Sequence, residues 1–329
     1  MDETLNPYES IPLHEQASVN RQRLHAVPAF GEAYRGQLAY DVLRRKALVE
    51  LATNLIPELA EEADPLPKLP EHVGDPRFDR LAQEFGARIA TLVCVLRDGH
   101  RENRETRPLW NEAAWDFWAA RETIWLAGGL LEGPFGEAVV TAAGSLVGRR
   151  PRLVLSPFRR HAPMIGAARS ILDRERVRVL DFGQTTLKRG TAKYANGMLT
   201  EVHLEEGLAV PFDPPVEVME DLLAEACRDW RGSVSMSMAS YEAPGGGPVD
   251  AGDFGKFYRR TKHVPSYLES LLGVEKVVMI HDGTAAALSL AGRDRSAVIV
   301  LGTALGIGVP PETDRDLAPF APDFQLKQN

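Results

Sequence analysis

The chain has 329 residues, 44% hydrophobic and 26% charged, with a net charge of −8. That length exceeds one ordinary domain, and the apolar fraction is enough for two cores without covalent staples. The acidic balance excludes nucleic acid as the main partner, since a phosphate backbone calls for a basic surface. No apolar run approaches the roughly 20 residues of a membrane span, so a soluble protein is expected. Only Cys94 and Cys227 are present, which gives neither a disulfide framework nor a zinc pattern and fits a reducing cytoplasm. Residues 1–20 are polar and mixed in charge, unlike a secretory leader.

In chain order, Leu38, Val42, Leu48, Leu51, Leu55 and Leu59 recur at helical spacing. They predict a helical stretch over 37–63, kinked or split at Pro57. A proline-rich break over 64–76 precedes helices predicted at 78–96 and 108–121, the second with Pro108 in its first turn. Trp110, Trp115, Trp118 and Trp125 read as core or helix-packing surface rather than as a ligand platform. Short strands are predicted at 123–127 and 152–156, with helices at 136–147 and 161–172. The last of these carries Gly166-Ala167-Ala168, a thin face suited to close packing.

The second half opens with strands at 176–181 and 187–194, and Asn196-Gly197 signals a hairpin into a return strand at 198–204. A helix at 216–230, a strand at 233–240 and a glycine loop at 244–248 follow. A helix at 265–272, a strand at 276–280, a helix at 284–291 and a strand at 297–301 complete the pattern. Residues 310–329 read as a loosely structured tail. Alternating strands and helices predict the α/β class.

Four segments carry chemistry. Strand 176–181 delivers Asp181 to its end, followed by Gly183, Gln184, Thr185 and Lys188 in and beyond a tight turn. Such a turn holds phosphate by backbone donors while the Asp faces magnesium through water, and Lys188 adds positive charge. The plain alternative is a hairpin whose Asp and Thr satisfy the turn. Strand 297–301 ends in Gly302 and Thr303, with Gly306 beyond, another loop able to approach phosphate. Between these, strand 276–280 presents His281 and Asp282 just before an alanine-rich helix. Asp282 there can take the proton of an attacking hydroxyl, or simply cap the helix. His281 is a second candidate group, against a structural hydrogen bond. Gly128 and Gly129, after strand 123–127, leave room for a flat group such as adenosine, or make a tight turn.

Together these segments resemble the ROK sugar kinases, within the superfamily of hexokinase, actin and the heat-shock chaperone ATPases. Residues 181–190 resemble the first phosphate motif, Asp-x-Gly-Gly-Thr. Residues 281–288 resemble the block Asn-Asp-x-Asn-Ala-Ala-Ala, whose Asp is the catalytic base. Residues 302–308 resemble the second phosphate motif, Gly-Thr-Gly-x-Gly, and 127–130 the adenosine-contacting diglycine. Residues 238–250 and 161–170 are similar to the loop ahead of the sugar site and to the closing helix. The order is that of a circular permutation, because the diglycine precedes Asp181 instead of following it.

The resemblance implies an α/β, two-lobed actin-like ATPase fold (ribonuclease H-like) with permuted lobe order. One lobe would comprise 1–172 plus 293–329, with the diglycine and second phosphate loop. The other would be 173–292, with the first phosphate motif, the catalytic Asp and the acceptor loops. It implies ATP and Mg²⁺ as cofactors, held between the lobes, with Asp181 at the metal. Gly183, Gln184, Thr185, Gly302, Thr303, Gly306, Gly128 and Gly129 would hold nucleotide, Asp282 would act as base and Lys188 as electrostatic helper. Glu242, Lys256 and His281 would join Asp282 at a sugar or polyol acceptor, although the first two also read as solvated loop charges. A homodimer is common among similar kinases.

Gln184 stands where the family has a second Gly, Ala304 replaces another, and His281 and Thr284 replace flanking Asn residues. A non-catalytic sugar or nucleotide sensor that keeps the fold is the alternative. A nicotinamide dehydrogenase is disfavoured, because neither glycine loop reads as G-x-G-x-x-G.

Overall fold

The computed structural model describes residues 18–25, 33–172, 174–239 and 256–328. The chain is mixed α/β and divides into two compact units, Met1–Arg160 with Arg295–Ile307, and His161–Asp294 with Gly308–Asn329. Among the described residues, no helix is long and apolar enough to cross a membrane.

The first unit opens with β1 (Arg23–Leu24), β2 (Gln37–Leu38), α1 (Ala39–Leu43) and α2 (Arg45–Leu55), then α3 (Pro76–Asp98), α4 (Arg101–Glu105) and α5 (Glu112–Ala119). β3 (Thr123–Ala127), α6 (Gly133–Val147) and β4 (Arg152–Leu155) follow. The second unit contains α7 (Ala162–Arg169), β5 (Arg176–Phe182), β6 (Thr186–Ala195), β7 (Met198–Ala209), α8 (Val216–Ala226) and β8 (Ser233–Met238). It continues through α9 (Lys256–Arg260), α10 (Val264–Leu272), β9 (Lys276–His281) and α11 (Asp282–Leu288). The chain then returns to the first unit with β10 (Ser296–Leu301) and β11 (Leu305–Gly308), and β12 (Phe320–Gln328) rejoins the second.

In the first unit the sheet order is β11-β10-β3-β4, with β10, β3 and β4 parallel. The expected helix over 37–63 is divided: extended Arg44 separates α1 from α2, and Ile56 leaves the helical region just before Pro57. The proline ring crowds the preceding residue out of helical conformation, and a 3₁₀ turn, Pro57–Glu61, follows. α3 starts where Asp75 accepts the Arg77 N–H at 2.8 Å, with Pro76 at its first position, and ends at left-handed Gly99. α5 begins later than expected. Asn111 caps it by accepting the Ala114 N–H at 3.0 Å, so Pro108 lies outside the helix. Trp110, Trp115 and Trp118 are buried, and Trp110 packs against Trp115 with the rings tilted by 54° and centroids 5.1 Å apart.

In the second unit the sheet order is β12-β7-β6-β5-β8-β9. β5, β6 and β7 form an antiparallel meander whose second turn is Asn196-Gly197, both at positive φ as a two-residue hairpin requires. β8 and β9 run parallel to β5. One face buries Leu180, Phe182, Met236 and Met238 against Met219 and Leu223 of α8 and Leu268 of α10. Each such side chain contributes about 1.5–3 kcal/mol. The other face is built from small residues. β8 alternates Ser233, Ser235 and Ser237 with its apolar positions, all three serines are buried, and Ser235 shares a hydrogen bond with Ser170 at 3.1 Å.

Against that face lie α7 and α11, which are thin where they meet. A Cβ on Gly166 would run into the carbonyl of Ala285. Gly166→Ala is therefore expected to force the helices apart and lower the stability of this unit by about 1–3 kcal/mol, as overpacking does. Urea unfolding measures this, and a change within 0.5 kcal/mol (roughly surface-substitution size) would contradict the close contact.

Two expectations are corrected by these pairings. Residues 310–329 are not a loose tail, because β12 pairs in parallel with β7, with an irregular register between Phe320 and Gln325. The lobe boundaries also move: α7 packs on α11 and β5, so 161–172 and 308–329 belong with the second unit rather than the first. Glu201 of β7 fastens this added strand, accepting from Lys193 of β6 at 2.8 Å and Lys327 of β12 at 2.5 Å. Those two ammonium groups, Lys193 first, hold its carboxyl down at about 2.

A carboxyl depressed in the folded state stabilises fully above its unfolded value and loses that contribution as pH falls through the folded one. The fastening is thus expected to weaken between about pH 4.5 and 2. Wild type should lose more stability over that window than Glu201→Gln, and parallel acid-unfolding curves would contradict the role.

Candidate functional site

In the second unit, β5, β8 and β9 are parallel neighbours, so their carboxyl ends share one edge of the sheet. Such an edge is where ligands bind in open α/β sheets. Asp181, in register with Ser237 on β8, sits one residue from the end of β5. Ile280 of β9 pairs with Ser237, so Asp282 stands two residues beyond that level. Two strand spacings separate β5 from β9, about 10 Å.

Asp181 is buried, at 4% exposure. Its Oδ1 accepts the Ser237 hydroxyl at 2.6 Å, and its Oδ2 accepts from the Lys188 ammonium. Lys188 reaches it because the β5–β6 register places the two residues directly opposite each other. Between them runs the turn Gly183–Thr185. The Gly183 N–H is shared between the carbonyls of Asp181 and Thr186, both at 3.1 Å, and the Thr185 carbonyl accepts from Val210 N–H at 3.0 Å. Gln184 and Thr185 are exposed, and their backbone N–H groups have no partner among the described residues. A turn tied at both ends with open amides at its tip is suited to an anion.

Asp282 is the first residue of α11, and its Oδ1 accepts the Gly283 N–H at 2.6 Å. His281 Nε2 lies 3.1 Å from the same oxygen. Burial pushes the His281 imidazole below its ordinary value, against the opposing pull of Asp282. A neutral imidazole with its proton on Nε2 donates to Asp282 and orients it without adding a full positive charge. Both readings of Asp282 are compatible with this geometry, since a carboxylate has lone pairs left after accepting from the helix.

Lys256 opens α9, where its ammonium pairs with Asp213 and donates to the Pro214 carbonyl at 2.8 Å. Those contacts suit a loop tie better than a substrate contact. Glu242 lies outside the described residues.

In the first unit, Gly128 and Gly129 follow β3 and Gly302 and Thr303 follow the neighbouring β10, so these two segments share that sheet's carboxyl edge. Gly128 has φ 106°, and a Cβ there would run into the backbone of Leu301. Its glycine is demanded by packing. Gly129 is exposed and opens a 3₁₀ turn. The Gly302 carbonyl accepts the Arg45 N–H at 2.9 Å, and Asn20 ties the far end of the loop by accepting the Leu305 N–H at 2.8 Å. Gly306 lies within β11 and is buried, away from the loop tip.

The residue pattern had not singled out Ser237. Its signal is the register: a serine directly beside Asp181 on a buried strand. Asn20 was also missed, because its partner lies far along the chain.

Among the described residues, no cluster of three His, Cys, Asp or Glu side chains can hold a metal ion. Magnesium is commonly held by one or two carboxylates plus phosphate and water, not by an all-protein cage. One buried carboxylate beside open turn amides fits that arrangement when phosphate accompanies the metal. Comparison of the chain with known protein families, curated proteins and solved structures gives no match.

Proposed function

We propose that the chain transfers a phosphoryl group from ATP to a hydroxyl of a sugar or sugar-like polyol, as an actin-like two-lobed kinase with permuted lobe order. The observation that carries this reading is the shared carboxyl edge of β5, β8 and β9. It brings a lysine-paired Asp181, a turn with open amides and a second carboxylate, Asp282, to one line about 10 Å long.

In this reading the amides of Gln184 and Thr185 hold phosphate oxygens. Asp282, oriented by His281 and the Gly283 N–H, accepts the proton of the acceptor hydroxyl as its oxygen bonds to the γ-phosphorus. The bond from that phosphorus to the departing ADP oxygen breaks. Lys188 offsets charge gathering on the transferred group. Magnesium, when bound with the nucleotide, neutralises the phosphate oxygens, and Asp181 would face it. The buried free thiols Cys94 and Cys227 accord with a cytoplasmic setting.

A second reading is a sensor that binds without transfer. What favours it is that both carboxylates are already partnered, Asp181 by Lys188 and Ser237 and Asp282 by His281 and Gly283. Screening sugars, amino sugars and cyclitols for ATP consumption, beside calorimetric titration with Mg·ATP, separates the two. Binding without consumption of ATP for any acceptor would leave the sensor.

A further inference from the structure

We infer that Lys188 is the resident counter-ion of Asp181 and makes divalent-metal binding at this edge conditional on phosphate. The inference rests on the phosphotransfer reading for its ligand, but its geometry stands independently. Asp181 is buried at 4% exposure, so its carboxylate is costly to leave bare. Each oxygen has one strong donor: the fully buried Ser237 hydroxyl on Oδ1 at 2.6 Å, and the Lys188 ammonium on Oδ2. A bare divalent cation approaching Oδ2 meets a positive charge already in place. Displacing that ammonium into water without another anion gains little, and keeping it places two cations on one carboxylate.

A phosphate group alters this balance. The Lys188 side chain is 29% exposed, so its head can move, whereas Asp181 and Ser237 are held in the sheet. The open amides of Gln184 and Thr185 lie on the turn joining the strands of Asp181 and Lys188. An anion seated there gives the ammonium a second partner and frees Oδ2 for the water shell of a metal ion. The neighbouring cations cannot take over the duty, because Arg178 is bound to Glu205 and Arg189 to Glu205 and the Glu206 carbonyl. Ser237 keeps Asp181 aimed throughout, so the exchange moves one side chain.

The test uses full-length protein and three probes: Mn²⁺ alone, followed by electron paramagnetic resonance, and then ATP and Mg·ATP, followed by calorimetry and thermal melting. Wild type should not take up Mn²⁺ at the concentrations where Lys188→Met does, the variant binding it about tenfold or more tightly once the opposing charge is gone. Mg²⁺ alone should raise the melting temperature of Lys188→Met and leave wild type unmoved. Lys188→Arg, which keeps the charge, should behave as wild type. If Lys188→Met does not fold, Lys188→Gln, which retains a donor without the charge, is read in the same way.

Equal Mn²⁺ affinity in wild type and the uncharged variant overturns the inference, whether both bind or neither does. Wild type that binds Mg·ATP but shows that equality leaves the kinase reading standing without the counter-ion. Metal uptake that follows Lys188 in a protein blind to ATP supports the counter-ion and removes the kinase reading.

Discussion

Asp282→Asn is expected to lower phosphoryl-transfer turnover by ~10² or more, the range over which loss of a general base acts. The amide is nearly the same shape as the carboxylate, and its oxygen can still accept the Gly283 N–H that Asp282 holds at 2.6 Å. Folding and nucleotide affinity should therefore survive, and the loss should fall on kcat rather than on the acceptor KM. Initial rates with saturating Mg·ATP, beside a urea melt of the same preparation, give both numbers. Turnover near that of wild type, in a protein that melts normally, would remove Asp282 from the chemistry and leave it as a helix-start residue.

Arg169→Met is expected to be the most damaging single change to the second unit, at about 3 kcal/mol or more. Arg169 ends α7 and is buried at 2% exposure. Its guanidinium donates to the Ala318 carbonyl at 3.0 Å and the Leu288 carbonyl at 2.7 Å, and lies 4.7 Å from the centre of the Phe320 ring. Its own carbonyl accepts the Ala318 N–H at 2.8 Å. One side chain thus ties the end of α11 to the approach of β12. Methionine fills the stem but leaves two carbonyls without their donors. Denaturant unfolding should show the loss, and limited proteolysis should cut first near β12. A loss under 1 kcal/mol (surface-substitution scale) would mean the clamp is dispensable.

What could be read from the residues was mostly local. Asn196-Gly197 announced its hairpin because a two-residue turn needs left-handed backbone at both positions, and few residues offer it. Asp181 and Asp282 were legible as carboxylates at strand ends, and Gly166-Ala167-Ala168 as a thin helix face. The partners of Asp181 were not. Lys188 faces it only through the hairpin register, and Ser237 only through a parallel strand more than fifty residues on. Arg169 drew no notice in the sequence, because the carbonyls that hold it come from segments more than a hundred residues later. The same limit hid β12, whose proline and mixed polarity break the alternation of a strand, and whose parallel partner supplies the missing order.

The return of β10 and β11 to the first unit has a consequence for how this polypeptide can be divided. β3 lies between β10 and β4 in its sheet, yet β10 arrives some 170 residues after β3. A product truncated at Arg160 would lack that neighbour and present the bare backbone of Thr123 and Trp125 as an open edge, inviting self-association. Residues 161–329 would still carry every part of the second unit, so a cut at that point costs the first unit alone its integrity.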